Sequence, residues 1–207
     1  MSARIRLEPP PRERRSHAER TAETRAKVMG AVVESIAEVG FQRTTASEIA
    51  RRAGVSWGAV QHHFGGKDGI LVAVVEDSFN HFAERLSGVE VEGLPLDARV
   101  ARFVDGAWEH FGSARYRSTL EILLNTPARE GSDWQAHMLD AWNRIWRRFF
   151  PPGGRSPREI RSLQLYTIAV LSGLATANMI GGPQPRLFTG PLALLKQTLE
   201  ERLAPAR

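Results

Sequence analysis

TTASEIARRAGVSWGAVQHHF, residues Thr44–Phe64, is the stretch whose reading decides this chain. Thr45 and Glu48 stand in the Ser/Thr-x-x-Glu spacing of a capping box, which satisfies backbone N–H groups that a helix start leaves bare. Ile49, Ala50 and Ala53 give the helix that follows a small apolar face. Ala53-Gly54-Val55 breaks it, because Gly54 takes a positive φ that other residues resist. Ser56 then caps a second short helix that opens with Trp57, Gly58 and Ala59. Two short helices around a glycine-containing turn form a helix-turn-helix, whose second helix enters the major groove of DNA.

The flanking sequence supplies the support such a unit needs. From about Ala18 to Val39, Val28, Val32, Ile36 and Val39 recur at helical spacing, with Met29 and Val33 widening the stripe. Gly40 ends that helix, and Phe41 is expected to pack back onto the three-helix unit. After Gly65-Gly66 a long helix is expected over about Lys67 to Ser87, from the helical spacing of Ile70, Leu71, Val74, Val75, Phe79, Phe82 and Leu86. It bridges the reading head and the rest, so a shift at its far end moves the head. Residues 1–16 lack apolar periodicity and hold three consecutive prolines. They read as a flexible basic arm in which Arg12, Arg14 and Arg15 are candidates for phosphate or minor-groove contact, a solvated tail being the plainer alternative.

The run resembles the DNA-binding domain of the tetracycline-repressor (TetR/AcrR) family of one-component regulators. Gly40-Phe41, Thr44-Thr45, Ile49-Ala50, Ala53-Gly54-Val55-Ser56, Gly58, His62, Phe64, Lys67 and Ile70 carry the resemblance in order and spacing over about residues 18–75. It implies DNA contacts from Thr45 and Ser47 at the start of the supporting helix, where hydroxyls and N–H groups meet phosphate. Ser56, Trp57, Ala59, Gln61 and His62 would face the groove or its rims, and Lys67 would touch phosphate. Ile49, Val55, Val60 and Phe64 read as core. Gln61 stands where the family usually has a tyrosine, so the sequence preference does not carry over. Its amide donates to phosphate or pairs with adenine. Trp57 is taken as a DNA contact on the ground that a tryptophan there lacks another partner.

Beyond a linker at residues 88–95, five helical stretches are expected at about 96–112, 115–126, 131–149, 157–180 and 188–204. Gly112, Pro127, Pro151-Pro152-Gly153-Gly154, Gly181-Gly182-Pro183 and Pro185 punctuate them. The last begins with Pro191 as a first-turn residue. The fold class is therefore all-α, with about nine helices. Residues 17–66 form the DNA-binding domain, and residues 67–207 form an effector-binding and dimerisation domain. Trp108, Phe111, Leu120, Leu123, Leu124, Met138, Trp142 and Trp146 concentrate apolar bulk on three consecutive helices, with His110, His137, Asn125 and Asn178 as polar complements. Ligand pockets have this composition, as do plain cores. The resemblance is what implies a cavity there, and Trp108, Phe111, Leu123, Leu124, Met138, Trp142, Trp146 and Asn178 are the candidate ligand-binding residues. It also implies a homodimer through residues 157–180 and 188–204, and hence a palindromic operator.

Composition excludes several alternatives. The chain has 207 residues and no cysteine, which removes disulfide scaffolds and thiolate chemistry. Residues 1–70 hold 12 Lys/Arg against 8 Asp/Glu, a net +4, whereas residues 71–207 hold 16 against 15. The excess sits with the reading head, where it releases counterions from phosphates. Leu163–Ile180 reads as too short and too polar for a membrane span, and the N-terminus lacks the apolar run of a signal peptide. A cytoplasmic protein is expected. Gly54-Val55-Ser56-Trp57-Gly58 fits the hydrolase elbow G-x-S-x-G, but a helix precedes it where that motif needs a strand. His62-His63 lacks metal-ligand spacing, and nothing requires a catalytic residue, a metal or a cofactor. The expected function is a ligand-responsive transcriptional repressor released by a small apolar or aromatic effector. A DNA-binding protein without an effector, or an enzyme on a helical scaffold, are the alternatives.

Overall fold

The computed structural model describes residues 16–126, 133–181 and 185–205. The expected basic arm, with Arg12, Arg14 and Arg15, lies outside them except for Ser16. Nine α-helices and no strand occur among the described residues: α1 (His17–Val39), α2 (Ala46–Ala53), α3 (Trp57–Phe64), α4 (Lys67–Ser87), α5 (Leu96–Phe111), α6 (Ala114–Asn125), α7 (Asp133–Phe149), α8 (Pro157–Gly181) and α9 (Pro185–Leu203). A 3₁₀ turn at Phe41–Arg43 joins α1 to α2.

A complete capping box starts α1. Ser16 Oγ accepts from the Glu19 N–H at 3.2 Å, and the Glu19 carboxylate accepts from the Ser16 N–H at 2.6 Å. The box expected at Thr45 is only half formed. Thr45 Oγ1 accepts from the Glu48 N–H at 3.3 Å, but the Glu48 carboxylate turns away to Arg51 and Arg52. Two guanidiniums outcompete one backbone N–H for that anion. Gly54 closes α2 in the left-handed region at φ 66°, as its place in the turn requires. The last helix starts at Pro185, three residues before the expected 188, so Pro191 lies inside α9 and beyond its first turn. That position is solvent-exposed, where water reaches the carbonyl that a proline cannot pair.

Two apolar cores organise the chain. The first joins Val28, Val32 and Ile36 of α1 to Ile49, Val60, Ile70, Leu71, Val74 and Val75, and Ile122 of α6 completes it. The head's core thus runs past Gly66 into the first half of α4 and includes a residue from α6. The second core contains Phe82 and Leu86 from the far half of α4, Phe103 and Val104 of α5, Trp142, Trp146 and Phe149 of α7, Leu171 of α8, and Leu195 and Leu199 of α9. Phe103 is its hub, meeting Trp142, Trp146, Phe149 and Phe150 edge-on at centroid distances of 5.2–5.8 Å. Lys196 of α9 reaches Asp105 of α5 at 2.7 Å.

One face of α8 and α9 is left uncovered by the described residues. Leu165, Tyr166 and Ile180 of α8, and Leu187 and Leu194 of α9, are 41–84% exposed. Ala169, Gly173 and Ala177 continue the exposed stripe of α8. Contrary to the sequence expectation, α8 is long and apolar enough by length and composition to cross a bilayer, with mean hydropathy 1.4 over 18 residues. It nevertheless buries Gln164 and Thr167 against its neighbours.

Candidate nucleic-acid interface and effector cavity

The reading unit presents a polar outer surface on an apolar back. Val60 of α3 and Ile49 of α2 are fully buried, which fixes the rotation of both helices. Thr45, Ser47, Ser56, Gln61 and His62 are left exposed, and Ala59 and Lys67 half-buried. Ser56 Oγ caps α3 by accepting the Ala59 N–H at 3.2 Å. Thr45 and Ser47 share a hydroxyl contact at 3.1 Å at the α2 N-terminus, where the helix dipole favours an anion. Trp57 is half-buried and packs on the head's core. It therefore has an apolar partner within the chain, and the ground on which the sequence favoured it as a DNA contact does not hold.

Several groups that hold this unit carry no signal in the motif. Arg25 of α1 donates to the His63 carbonyl at 2.7 Å and lies 4.4 Å over the Phe64 ring. It places a cation at the carbonyl-rich end of α3, where the helix dipole favours one. Ser35 and Thr44 form a buried hydroxyl pair at 3.0 Å, which ties the loop before α2 to α1. Gly69 is irreplaceable on steric grounds, since a Cβ there would sit 1.8 Å from the Phe64 carbonyl oxygen. Charge is also distributed differently from its count. Arg52 pairs with Glu38 at 2.6 Å and with Glu48, while Arg51 holds Glu48 at 2.7 Å. Hydrogen bonds from Arg51 and then Arg52 hold the Glu48 carboxyl down to about 2. Arg52 thus braces α2 against α1 through Glu38, while Arg51 stays paired within α2.

Behind the head, α4 to α8 line a half-open apolar cavity of about 280 Å³. Its wall includes Val75, Ser78, Phe79 and Phe82 of α4, His110 and Phe111 of α5, Tyr116, Thr119, Leu120 and Leu123 of α6, Met138, Leu139 and Trp142 of α7, and Ile168 and Ser172 of α8. A second cleft of about 320 Å³ adjoins it through Val75, Phe79 and Met138, and is edged by Glu76, Asn80, His137 and Arg144. Burial, aided by the charges of Arg115 and Arg85, holds the His110 imidazole down to about 4, so it is neutral near pH 7. The Tyr116 hydroxyl lies 3.0 Å from Ser172 Oγ across the cavity wall.

Of the residues expected to bind a ligand, Phe111, Leu123, Met138 and Trp142 line this cavity. The other four do not. Trp146, one turn beyond Trp142, is 1% exposed in the body core. Trp108 packs on Phe188 with centroids 5.3 Å apart. Leu124 is 75% exposed, because adjacent residues on a helix diverge by about 100°. Asn178 lies near the far end of α8, off the wall. Asn125 is likewise committed elsewhere, accepting from Gln42 Nε2 at 2.9 Å. The sequence reading missed Phe79 and Phe82, which looked like core stripe, and Ser78, Thr119 and Ser172, which no pattern marks.

Fold and site together define a helix-turn-helix module carried on an all-helical, cavity-bearing body. The sequence model described as "Bacterial regulatory proteins, tetR family" matches residues 29–74. The HTH-type transcriptional regulator CymR of Pseudomonas putida is 30% identical over 112 residues, 54% of this chain and 55% of that one. BetI 1 of Chromohalobacter salexigens is 49% identical over 86 residues, 41% and 43% of the two chains. The matches thus span about half the length of these curated relatives. The crystal structure of the regulator FadR from Bacillus subtilis in complex with stearoyl-CoA has the same fold, with TM-score 0.67 at 19% identity, covering 88% of this chain and 99% of that one. The N-terminal module thus matches the tetR family of bacterial regulatory proteins over residues 29–74, and the whole fold is shared with a solved transcriptional regulator.

Proposed function

We propose that this chain is a ligand-responsive transcriptional repressor, which binds a palindromic operator as a homodimer and is released by a small apolar or aromatic effector. The observation that carries the reading is the double duty of α6. Tyr116, Thr119, Leu120 and Leu123 form cavity wall. From the same helix, Ser118 Oγ donates to the Val33 carbonyl at 3.2 Å, and Glu121 accepts from the Phe41 N–H at 3.2 Å. Ile122 is 2% exposed in the head's core. A molecule that moves the wall moves the head. The effector acts through its different affinities for two arrangements of α6, one with the heads spaced for the operator and one without. That FadR of Bacillus subtilis takes stearoyl-CoA in the same fold supports an effector in the body.

Thr45, Ser47, Ser56, Ala59, Gln61, His62 and Lys67 are the proposed DNA contacts, with Trp57 acting through packing. The uncovered faces of α8 and α9 are the proposed two-fold interface, placing two α3 helices in successive major grooves. Such a protein works in the cytoplasm, where its DNA is. The test is a titration of the purified protein, at fixed salt, against palindromes from its own gene's flanks and against scrambled DNA of equal length. The expected result is a palindrome bound at least a hundredfold more tightly, with the dimer as the binding species. Equal affinity for all duplexes would overturn the reading.

A further inference from the structure

Resting on the assignment of Lys67 to a DNA phosphate, we infer that Glu121, on the body helix α6, is a positioning residue for that contact and acts through Phe41. One residue joins the two. Glu121 Oε2 accepts from the Phe41 N–H at 3.2 Å, and the Lys67 ammonium lies 5.3 Å from the centroid of the Phe41 ring. The 3₁₀ turn that carries Phe41 begins at Gly40, which holds φ 81° and supplies no side-chain cap. The N–H at the head of the turn therefore takes its acceptor from α6, 80 residues along the chain. A carboxylate as acceptor makes that bond a charge-assisted one. Arg117, one turn earlier on α6, steadies the other oxygen of Glu121 at 3.6 Å. Gln42 adds a parallel bond to Asn125 Oδ1 at 2.9 Å, and Asn125 Nδ2 is itself anchored on the Glu121 carbonyl. On the α1 side, the Gly40 N–H reaches the Ile36 carbonyl at 2.9 Å, and Thr44 Oγ1 reaches the Gly40 carbonyl at 3.0 Å. Those bonds fix the ends of the turn, whereas the leg that bears the Phe41 ring is held from α6.

Lysine reaches phosphate on a flexible four-carbon stem, and ordering such a side chain costs about two- to tenfold in affinity at each protomer. A ring face beneath the ammonium orders it beforehand and, unlike a carboxylate, does not neutralise the charge that meets the phosphate. The same turn runs directly into Thr44 and Thr45, so it also sets the α2 N-terminus where Thr45 and Ser47 stand. Leu120 and Leu123 flank Glu121 on α6 and line the cavity. A wall displaced by a ligand carries the carboxylate away from Phe41 with it.

Double-mutant cycles on the full-length dimer test the inference, with affinity for the palindrome selected by the titration above read at fixed salt. Glu121→Ala is expected to weaken operator binding by at least about fivefold, both protomers counted. Lys67→Ala is expected to cost at least about threefold less in the Glu121→Ala background than in the parent. Phe41→Leu keeps the N–H and the apolar bulk but removes the ring face, and it is expected to shrink the cost of Lys67→Ala in the same way. It decides the matter should Glu121→Ala fail to fold in thermal melts. Glu121→Gln keeps an acceptor oxygen at the same reach and is expected to bind within about threefold of the parent. Strictly multiplicative costs in either cycle, or Glu121→Gln as weak as Glu121→Ala, would overturn the inference and leave Lys67 as a DNA contact. A Lys67→Ala protein that binds every duplex as the parent does would overturn the contact itself, and the inference with it.

Discussion

The substitution Leu194→Ala isolates the proposed two-fold interface. Leu194 is 61% exposed on α9, so nearly two-thirds of its side chain remains to be buried by a second copy. Trimming leucine to alanine removes three carbons, worth about 0.8 kcal/mol each when fully buried. Scaling by the exposed fraction gives about 1.5 kcal/mol per protomer. Two-fold symmetry applies the loss twice, for about 3 kcal/mol per dimer. At 1.4 kcal/mol per decade, the dissociation constant of the dimer rises roughly a hundredfold. Both residues are good helix formers, so the monomer should keep its helical content and melting behaviour. Sedimentation equilibrium over a wide concentration range measures the shift. Val39→Ala serves as the control, since Val39 is 37% exposed on the head and away from α8 and α9. A Leu194→Ala dissociation constant within threefold of the parent would show that this face is covered by something other than a second copy, or by nothing.

Three further outcomes follow from the geometry. Gly69→Ala drives a Cβ into the Phe64 carbonyl, a contact between backbone atoms that no rotamer relieves; it should lower stability by about 1–3 kcal/mol in thermal melts and abolish operator binding in a gel-shift assay. His110 titrates near 4 in the folded chain and near 6.5 when unfolded, so in that window the unfolded state binds a proton that the folded state does not. Stability is therefore lost as pH falls through the window, by up to about 3 kcal/mol at pH 4, and His110→Asn should flatten that part of the denaturation profile relative to the parent. Lys67→Ala should weaken binding to operator and random DNA alike, and should reduce the slope of log K against log salt by about two, one phosphate from each protomer.

Much of the architecture was legible because helices announce themselves locally. The 3.6-residue spacing of Val28, Val32 and Ile36, and of Ile70, Leu71, Val74 and Val75, is a property of neighbours in sequence. The stop at Gly54 and the cap at Ser56 are local too, and the structure shows both. Local signals also misled. Pro191 reads as a first-turn residue because proline favours that position, yet it lies further inside α9, where an exposed position tolerates it. The Thr45–Glu48 spacing promised a reciprocal cap, and Arg51 and Arg52 took the carboxylate instead. Among the candidate ligand residues, Trp142 and Trp146 are indistinguishable in sequence, each an aromatic on the same face of one helix. Phe103 meets both, and only the packing of Phe150 on Trp146, against that of the wall residue Phe82 on Trp142, separates core from cavity wall.

By itself, then, the chain from Thr44 to Phe64 determined that this protein has a two-helix unit, and that Ile49 and Val60 turn inward, though not that Trp57 packs on the same core. Capping, turn and apolar spacing act within a few residues, so no other part of the chain has to be known. Tertiary structure alone decided what holds that unit and what moves it. Arg25 reaches the His63 carbonyl across 38 residues, and Glu121 reaches the Phe41 N–H across 80. The cavity behind the head exists only once five helices come together around it. Such contacts are set by how whole helices pack, a non-local outcome that no short window of sequence encodes.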